Sequence, residues 1–218
     1  MLVFQLLTRK TQATMISRVT VAVLSGACCL GAAGGATADS PGEVLPPGYS
    51  MTHTGDSHDF DYFVGGWVTK QKHLKARGVG SSDWEEFSAT LCMSLYLDGL
   101  ATVDEMYMPA KNRAGLTLRT FDVNKHQWSI YWVNSATGVL DAIPVVGGFQ
   151  GNHGEFYASD EEDHRPIKVR YTWDKFDHDH ARWQQAFSYD NRTWETNWVA
   201  EFSRADTSKT CQNGRPRR

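Results

Sequence analysis

The chain's 218 residues carry 22 Lys and Arg against 25 Asp and Glu, a formal charge of −3, and 41% of them are hydrophobic, which places the chain among ordinary globular proteins. Three of the basic residues, Arg9, Lys10 and Arg18, fall within residues 1–38, where there is no carboxylate; without that segment 22 less three leaves 19 basic groups against 25 acidic ones, a charge of −6. An acidic surface attracts neither nucleic acid nor an anionic membrane, so neither is expected as a partner.

In chain order, the first element is a secretory signal. Arg9, Lys10 and Arg18 precede an apolar run from Val19 to Ala33, followed by Ala36-Thr37-Ala38 and Asp39. A basic head, a short apolar core and an A-x-A-like site make a cleavable signal peptide, 1–38, cut after Ala38. The run is too short and too rich in Gly and Ala to span a bilayer, which needs about 20 apolar residues, so no membrane insertion is expected after cleavage. A lipoprotein reading through Ser25-Gly26-Ala27-Cys28 lacks the usual Leu three residues before the cysteine. The expected location is therefore periplasmic or secreted.

Residues 39–56, with Pro41, Pro46, Pro47, Gly48 and Gly55 and no apolar periodicity, read as a flexible arm. Residues 57–64 read as a short helical turn with Ser57 or Asp59 as its N-cap, and Gly65-Gly66 bends it into a strand that opens at Trp67. From there the pattern is strand, turn, strand. Segments 67–75, 84–97, 100–108, 115–122, 127–134, 139–149 (broken), 153–159, 167–174, 181–189 and 194–204 alternate or are rich in β-branched and aromatic residues. Turn chemistry separates them, as at Leu97-Asp98-Gly99, Val123-Asn124-Lys125 and Asp190-Asn191. Short, evenly spaced strands without a long helix predict an all-β, antiparallel barrel of about 8–10 strands, 57–205, followed by a polar, disordered tail, 206–218.

Cys28 and Cys29 leave with the signal. Cys92 and Cys211 remain, either as one disulfide in an oxidising compartment or as a buried small apolar residue and a free thiol.

Several strands put large aromatics beside polar groups on one face. Trp128, Ile130 and Trp132 share a side, as do Trp183, Gln185 and Phe187, and Trp194, Thr196, Trp198, Ala200 and Phe202. Such faces suit a ligand cavity, although Trp and Tyr could also simply fill a wide barrel. In Ala101-Thr102-Val103-Asp104-Glu105-Met106, neighbouring carboxylates point to opposite faces. Counting from Ala101 and Val103 puts Glu105 inward, with Arg119 or Arg170 as its cation. The expected lining is Glu105, Arg119, Tyr131, Trp132, Trp183 and Trp198, around a small hydrophobic or amphipathic molecule. A cofactor-free enzyme doing acid/base chemistry, of isomerase or cyclase type, is the alternative use of the same cavity.

Other chemistries lack their signals. Asp177-His178-Asp179-His180 offers alternating ligands in a turn but no third ligand at diagnostic spacing, so no metal is expected. No G-x-S-x-G motif and no phosphate-binding glycine loop occurs, and no cofactor is expected.

Gly65-Gly66-Trp67 resembles the G-x-W entrance of the calycin barrels, among them lipocalins, fatty-acid-binding proteins and avidins. The resemblance implies that Trp67 packs under a basic side chain of the last strand, for which Arg204 is the candidate. Residues 57–204 also resemble a family of bacterial, often exported, proteins with a domain of unknown function. The matching residues include His58-Asp59-Phe60-Asp61, Asp83-Trp84-Glu85-Glu86-Phe87, Leu118-Arg119-Thr120-Phe121-Asp122, Trp128-Ser129-Ile130-Tyr131-Trp132 and Thr193-Trp194-Glu195-Thr196-Asn197-Trp198. That family implies a fold and no particular activity.

Overall fold

A computed structural model describes residues 42–218. The expected signal peptide and the first residues of the arm lie outside them.

Ten antiparallel strands close into a single barrel. They are β1 (Gly65–Leu74), β2 (Trp84–Tyr96), β3 (Ala101–Met108), β4 (Arg113–Asp122), β5 (Gln127–Asn134), β6 (Val145–Gln150), β7 (His153–Glu162), β8 (Arg165–Lys175), β9 (His180–Ser188) and β10 (Glu195–Ala205). Each pairs with its neighbour in sequence, and β10 returns to β1, with Trp67 opposite Arg204 and His73 opposite Trp198. Closure pairs each barrel strand on both sides along most of its length, which limits the usual route to edge-on aggregation. The weakest seam is between β5 and β6, where only Trp128, Ser129 and Ile130 pair with Gly147, Val146 and Val145. Beyond Ile130 the strands part, and residues 135–144 fold back so that Val133 bridges Leu140 and Asp141 donates its N–H to the Trp132 carbonyl.

One end of the barrel is plugged. The 3₁₀ turn Asp61–Phe63 delivers Phe60 and Phe63 into the interior. Phe60 meets Trp128, Phe149 and Trp173 edge to face at centroid distances of 5.0, 5.3 and 6.1 Å, and Phe63 meets Trp173 at 4.6 Å. Edge-to-face packing sets the positive ring edge against a negative face and adds to the area buried. Gly65, at φ +105°, turns the chain from this plug into β1, in a backbone region that side chains other than glycine rarely adopt. Trp67 is fully buried, donates from Nε1 to the Phe63 carbonyl at 2.8 Å, and lies 4.2 Å beneath the Arg204 guanidinium. Arg204 also donates to the carbonyls of Val64 and Tyr62 at 3.1 and 2.8 Å, tying the last strand to the plug. Loss of a cation–π contact and of these charged donors predicts that Arg204→Met lowers stability by about 1–3 kcal/mol in a urea melt. A loss within error of zero would mean the stack is ornamental.

Two stretches read as loose in the sequence lie on the outer wall. Residues 42–56 of the arm run over β5, β7 and β10. Gln127 donates to the Met51 and His53 carbonyls at 2.9 and 3.0 Å, Trp194 to Pro47 at 2.8 Å, and the Tyr49 and Ser159 hydroxyls meet at 2.8 Å. The tail forms α1 (Thr207–Thr210) and a hairpin of β11 (Cys211–Gln212) and β12 (Arg215–Pro216), in place of the expected disorder. Cys211 is bonded to Cys92 on the outer face of β2, which selects the disulfide from the two readings of those cysteines.

Candidate functional site

Above the plug the interior stays open as a cavity of about 670 Å³, within the roughly 300–1,000 Å³ of small-molecule sites. Its floor is built by β3, β4 and β8. On β3 the inward residues are Thr102, Asp104 and Met106, and on β4 they are Thr117 and Arg119. Asp104 is 1% exposed and Arg119 3% exposed, and they form an ion pair with Nη1 to Oδ2 at 2.5 Å. The guanidinium lies 4.8 Å above the Phe60 ring and 5.7 Å from that of Trp173. Pairing and ring contact together make a buried charge tolerable in so apolar a place. Three polar atoms here have no hydrogen-bond partner among the described residues: Asp104 Oδ1, Arg119 Nε and Trp173 Nε1. Buried polar atoms without partners are uncommon, which sets this floor apart from the apolar core around it.

An aromatic wall rises from the floor. Tyr171 and Trp183 stand 5.0 Å apart, Trp183 and Trp198 5.6 Å, and Trp198 and Trp132 6.3 Å, each pair nearly perpendicular. Trp198 is fixed by a relay: its Nε1 donates to Gln71 Oε1 at 2.6 Å, and Gln71 Nε2 donates to Thr69 Oγ1 at 2.7 Å. Trp132 is placed by an absent side chain. A Cβ on Gly115, across the β4–β5 pair, would fall 1.9 Å from the Trp132 ring, so only glycine admits the indole there. Accordingly Gly115→Ala should displace Trp132 and weaken any cavity ligand by about tenfold, read by titrating tryptophan fluorescence.

The open end is rimmed by Leu140, Asp141 and Ile143 of the 135–144 segment, by Asp160 to Glu162 of β7, and by Arg77, which pairs with Glu162. Burial, with Asp160 adding to it, pushes the Asp141 carboxyl above its ordinary value. Burial likewise holds the Tyr171 hydroxyl well above its usual range, with Asp141 and Asp160 contributing, so it stays a proton donor at neutral pH. His73 meets Trp198 edge to face at 5.0 Å, and its imidazole is pushed down by burial and then by Arg77 and Lys111.

Of the residues named from sequence, Arg119, Trp132, Trp183 and Trp198 line this cavity together. Glu105 does not. It points outward, where Arg218 reaches it at 2.7 Å and Arg215 at 3.8 Å; Asp104 is the inward carboxylate. The error is one residue of register. The inner face of β3 is Thr102, Asp104, Met106 and Met108, and the small residues Ala101 and Val103 face out. Tyr131 lies on the opposite face of β5 from Ile130 and Trp132, and borders the cavity only where β5 leaves β6. Trp194 was placed with Trp198, but a bulge between Thr196 and Trp198 inserts a residue and turns Trp194 out against the arm. Asp141, Asp160 and Tyr171 went unnoticed: the first two stand in turn-like or polar stretches, and Tyr171 shares its strand with outward polar residues.

The described residues contain no group of three or more His, Cys, Asp or Glu placed to hold one metal ion; the His178 and His180 rings instead contact Asp179 and Asp177 at the surface. In comparisons with known proteins, no protein-family model matches the chain and no curated protein matches it. Among solved structures, one similar to it is a protein of unknown function from the DUF3598 family of Nostoc punctiforme, at 10% identity and a TM-score of 0.40, covering 73% of this chain. The chain spans about half, 53%, of that structure's length.

Proposed function

We propose that this chain is an exported, calycin-like barrel that binds a small, partly aromatic or amphipathic molecule. The observation that carries the reading is the cavity itself: about 670 Å³, walled by Trp132, Trp183 and Trp198, with the buried Asp104–Arg119 pair among its lining residues. A barrel that needed only to be filled would have no reason to leave that volume empty or to strand Asp104 Oδ1 and Arg119 Nε. Export is supported by the signal-like sequence of 1–38 and by the Cys92–Cys211 disulfide, which persists in oxidising compartments.

The test is native mass spectrometry of protein purified from its own source, followed by the same measurement on Val169→Phe. Val169 lines the cavity, so the larger ring takes up open volume, at a cost of about 1–3 kcal/mol of stability. A co-purifying mass lost from the variant supports the reading. An unoccupied wild type that binds nothing in a small-molecule screen would sink it. The rival reading, acid/base catalysis without a cofactor, would fall to Asp141, whose carboxyl is pushed up beside the Tyr171 hydroxyl. Recovery of the captured molecule unchanged after prolonged incubation favours the binder; its conversion, lost in Asp141→Asn, favours the enzyme.

A further inference from the structure

Charge around the cavity is uneven. Its lining includes five carboxylates, Asp104, Asp141, Asp160, Glu161 and Glu162, and two guanidiniums, Arg77 and Arg119. Both guanidiniums are already engaged, Arg119 by Asp104 and Arg77 by Glu162. Glu161 lies 3.2 Å from His164 at the surface, which leaves Asp141 and Asp160 with no ion-pair partner among the described residues. A concave site lined by one sign of charge, with low-dielectric walls, concentrates the opposite sign inside it. An anionic amphiphile such as a fatty acid would meet no free cation here.

The wall below those carboxylates is the kind of surface that holds a cation. Trp198 is set nearly perpendicular to both Trp132 and Trp183, and all three indoles line the cavity. Indole faces attract organic cations, most strongly where water is excluded. On the floor, Asp104, 1% exposed and paired with Arg119, adds a further carboxylate to the lining, and its Oδ1 has no hydrogen-bond donor among the described residues.

We propose that the cavity selects organic cations, with an apolar or aromatic body against Trp132, Trp183 and Trp198 and an ammonium-type group facing Asp141 and Asp160. The assignment deepens the ligand-binding reading above and rests on it. Asp141 and Asp160, the carboxylates without an ion-pair partner among the described residues, stand at the rim, so the charged group stays toward the mouth. Ionisable groups bordering Asp141 are Asp160 on β7 and Tyr171 on β8, with Glu161, Glu162 and Arg77 on the same rim. Because the Asp141 carboxyl is pushed above its ordinary value, the cation competes with a proton for it, and affinity falls as the pH is lowered through the titration of that carboxyl.

Three probes of equal chain length separate the possibilities: decyltrimethylammonium, decanol and decanoate, each titrated below micelle formation against tryptophan fluorescence. The expected result is that decyltrimethylammonium binds at least about tenfold more tightly than either other probe. In Asp141→Asn with Asp160→Asn that preference should fall to within about threefold. Glu86→Gln with Glu201→Gln, removing two carboxylates from the outer wall, should leave it unchanged. Decanol or decanoate binding as well as the cation would overturn the charge selection while leaving the cavity reading intact. So would a preference that survives the rim substitutions or is lost equally in the outer-wall control. Binding of none of the three would overturn both readings together.

Discussion

Replacing Arg119 with Met should lower the stability of the barrel by about 3–5 kcal/mol, because it leaves the Asp104 carboxylate buried without its partner. Few side chains in the molecule are so tightly committed. The pair is at 2.5 Å, both members are almost wholly enclosed, and the guanidinium rests on the Phe60 ring that plugs the barrel. Neither charge has water to fall back on, so the penalty is that of an uncompensated ion rather than of one lost hydrogen bond. The double replacement Asp104→Asn with Arg119→Met should recover most of the loss, since a neutral amide beside a thioether has far less to desolvate. Urea denaturation of the two single variants and the double gives the coupling directly. Additive losses, or a single-variant loss under about 1 kcal/mol, would mean that the pair is better hydrated than its enclosure implies. Because Arg119 also contributes an unpartnered Nε to the cavity floor, the double variant should fold and yet bind differently, which separates support of the fold from the recognition of a ligand.

The pair also marks where the sequence was readable. Alternation, turn residues and aromatic enrichment located all ten barrel strands, because those features depend on neighbours in sequence, and the resemblance to the G-x-W entrance implied Trp67 beneath Arg204. Choosing between Asp104 and Glu105 required knowing which face of β3 was inner, and there the small residues misled. Ala101 and Val103 look like core positions but lie on the outer face, while Thr102 and Asp104 are accepted inside because Arg119 stands on the adjoining strand. Trp194 failed for a different reason. A single-residue bulge reverses the facing of everything before it, and nothing in Thr193-Trp194-Glu195-Thr196-Asn197-Trp198 announces the insertion. The arm and the tail, poor in apolar residues, gave no periodic signal at all. The arm is held instead by side chains such as Gln127 and Trp194 reaching for its carbonyls, and the tail by the Cys92–Cys211 bond, contacts that only the closed barrel brings within range.

The tail is where the second large effect is expected. Cys92 and Cys211 are 119 residues apart in sequence, so their bond encloses most of the barrel, from β3 to β10, in one covalent loop. On the chain-entropy account, a loop of about 100 residues gives up roughly 4.7 kcal/mol of unfolded-state freedom, and natural disulfides return about 2–5 kcal/mol on removal. Cys211→Ser should therefore cost about 3–5 kcal/mol, and treating the wild type with a thiol reductant should reproduce the loss. Cys92→Ser should cost at least as much, since Cys92 is buried on the outer face of β2 and a hydroxyl there would need a partner. Unlatching of α1 and the β11–β12 hairpin contributes less. Arg218 to Glu105 is the strongest tail-to-barrel ion pair, and a partly exposed pair of that kind is worth under about 1 kcal/mol. The two contributions can be told apart by deleting residues 206–218 in the Cys92→Ser background. If crosslinking dominates, removing the rest of the tail adds little further loss. If the tail's own contacts dominate, Cys211→Ser alone stays near wild type and the deletion accounts for the damage. In either case the inner face of β2, with Leu91 on the cavity wall, is turned away from Cys92, so ligand affinity measured well below the melting range should be unchanged in Cys211→Ser. Stability and binding then report on opposite faces of the same strand.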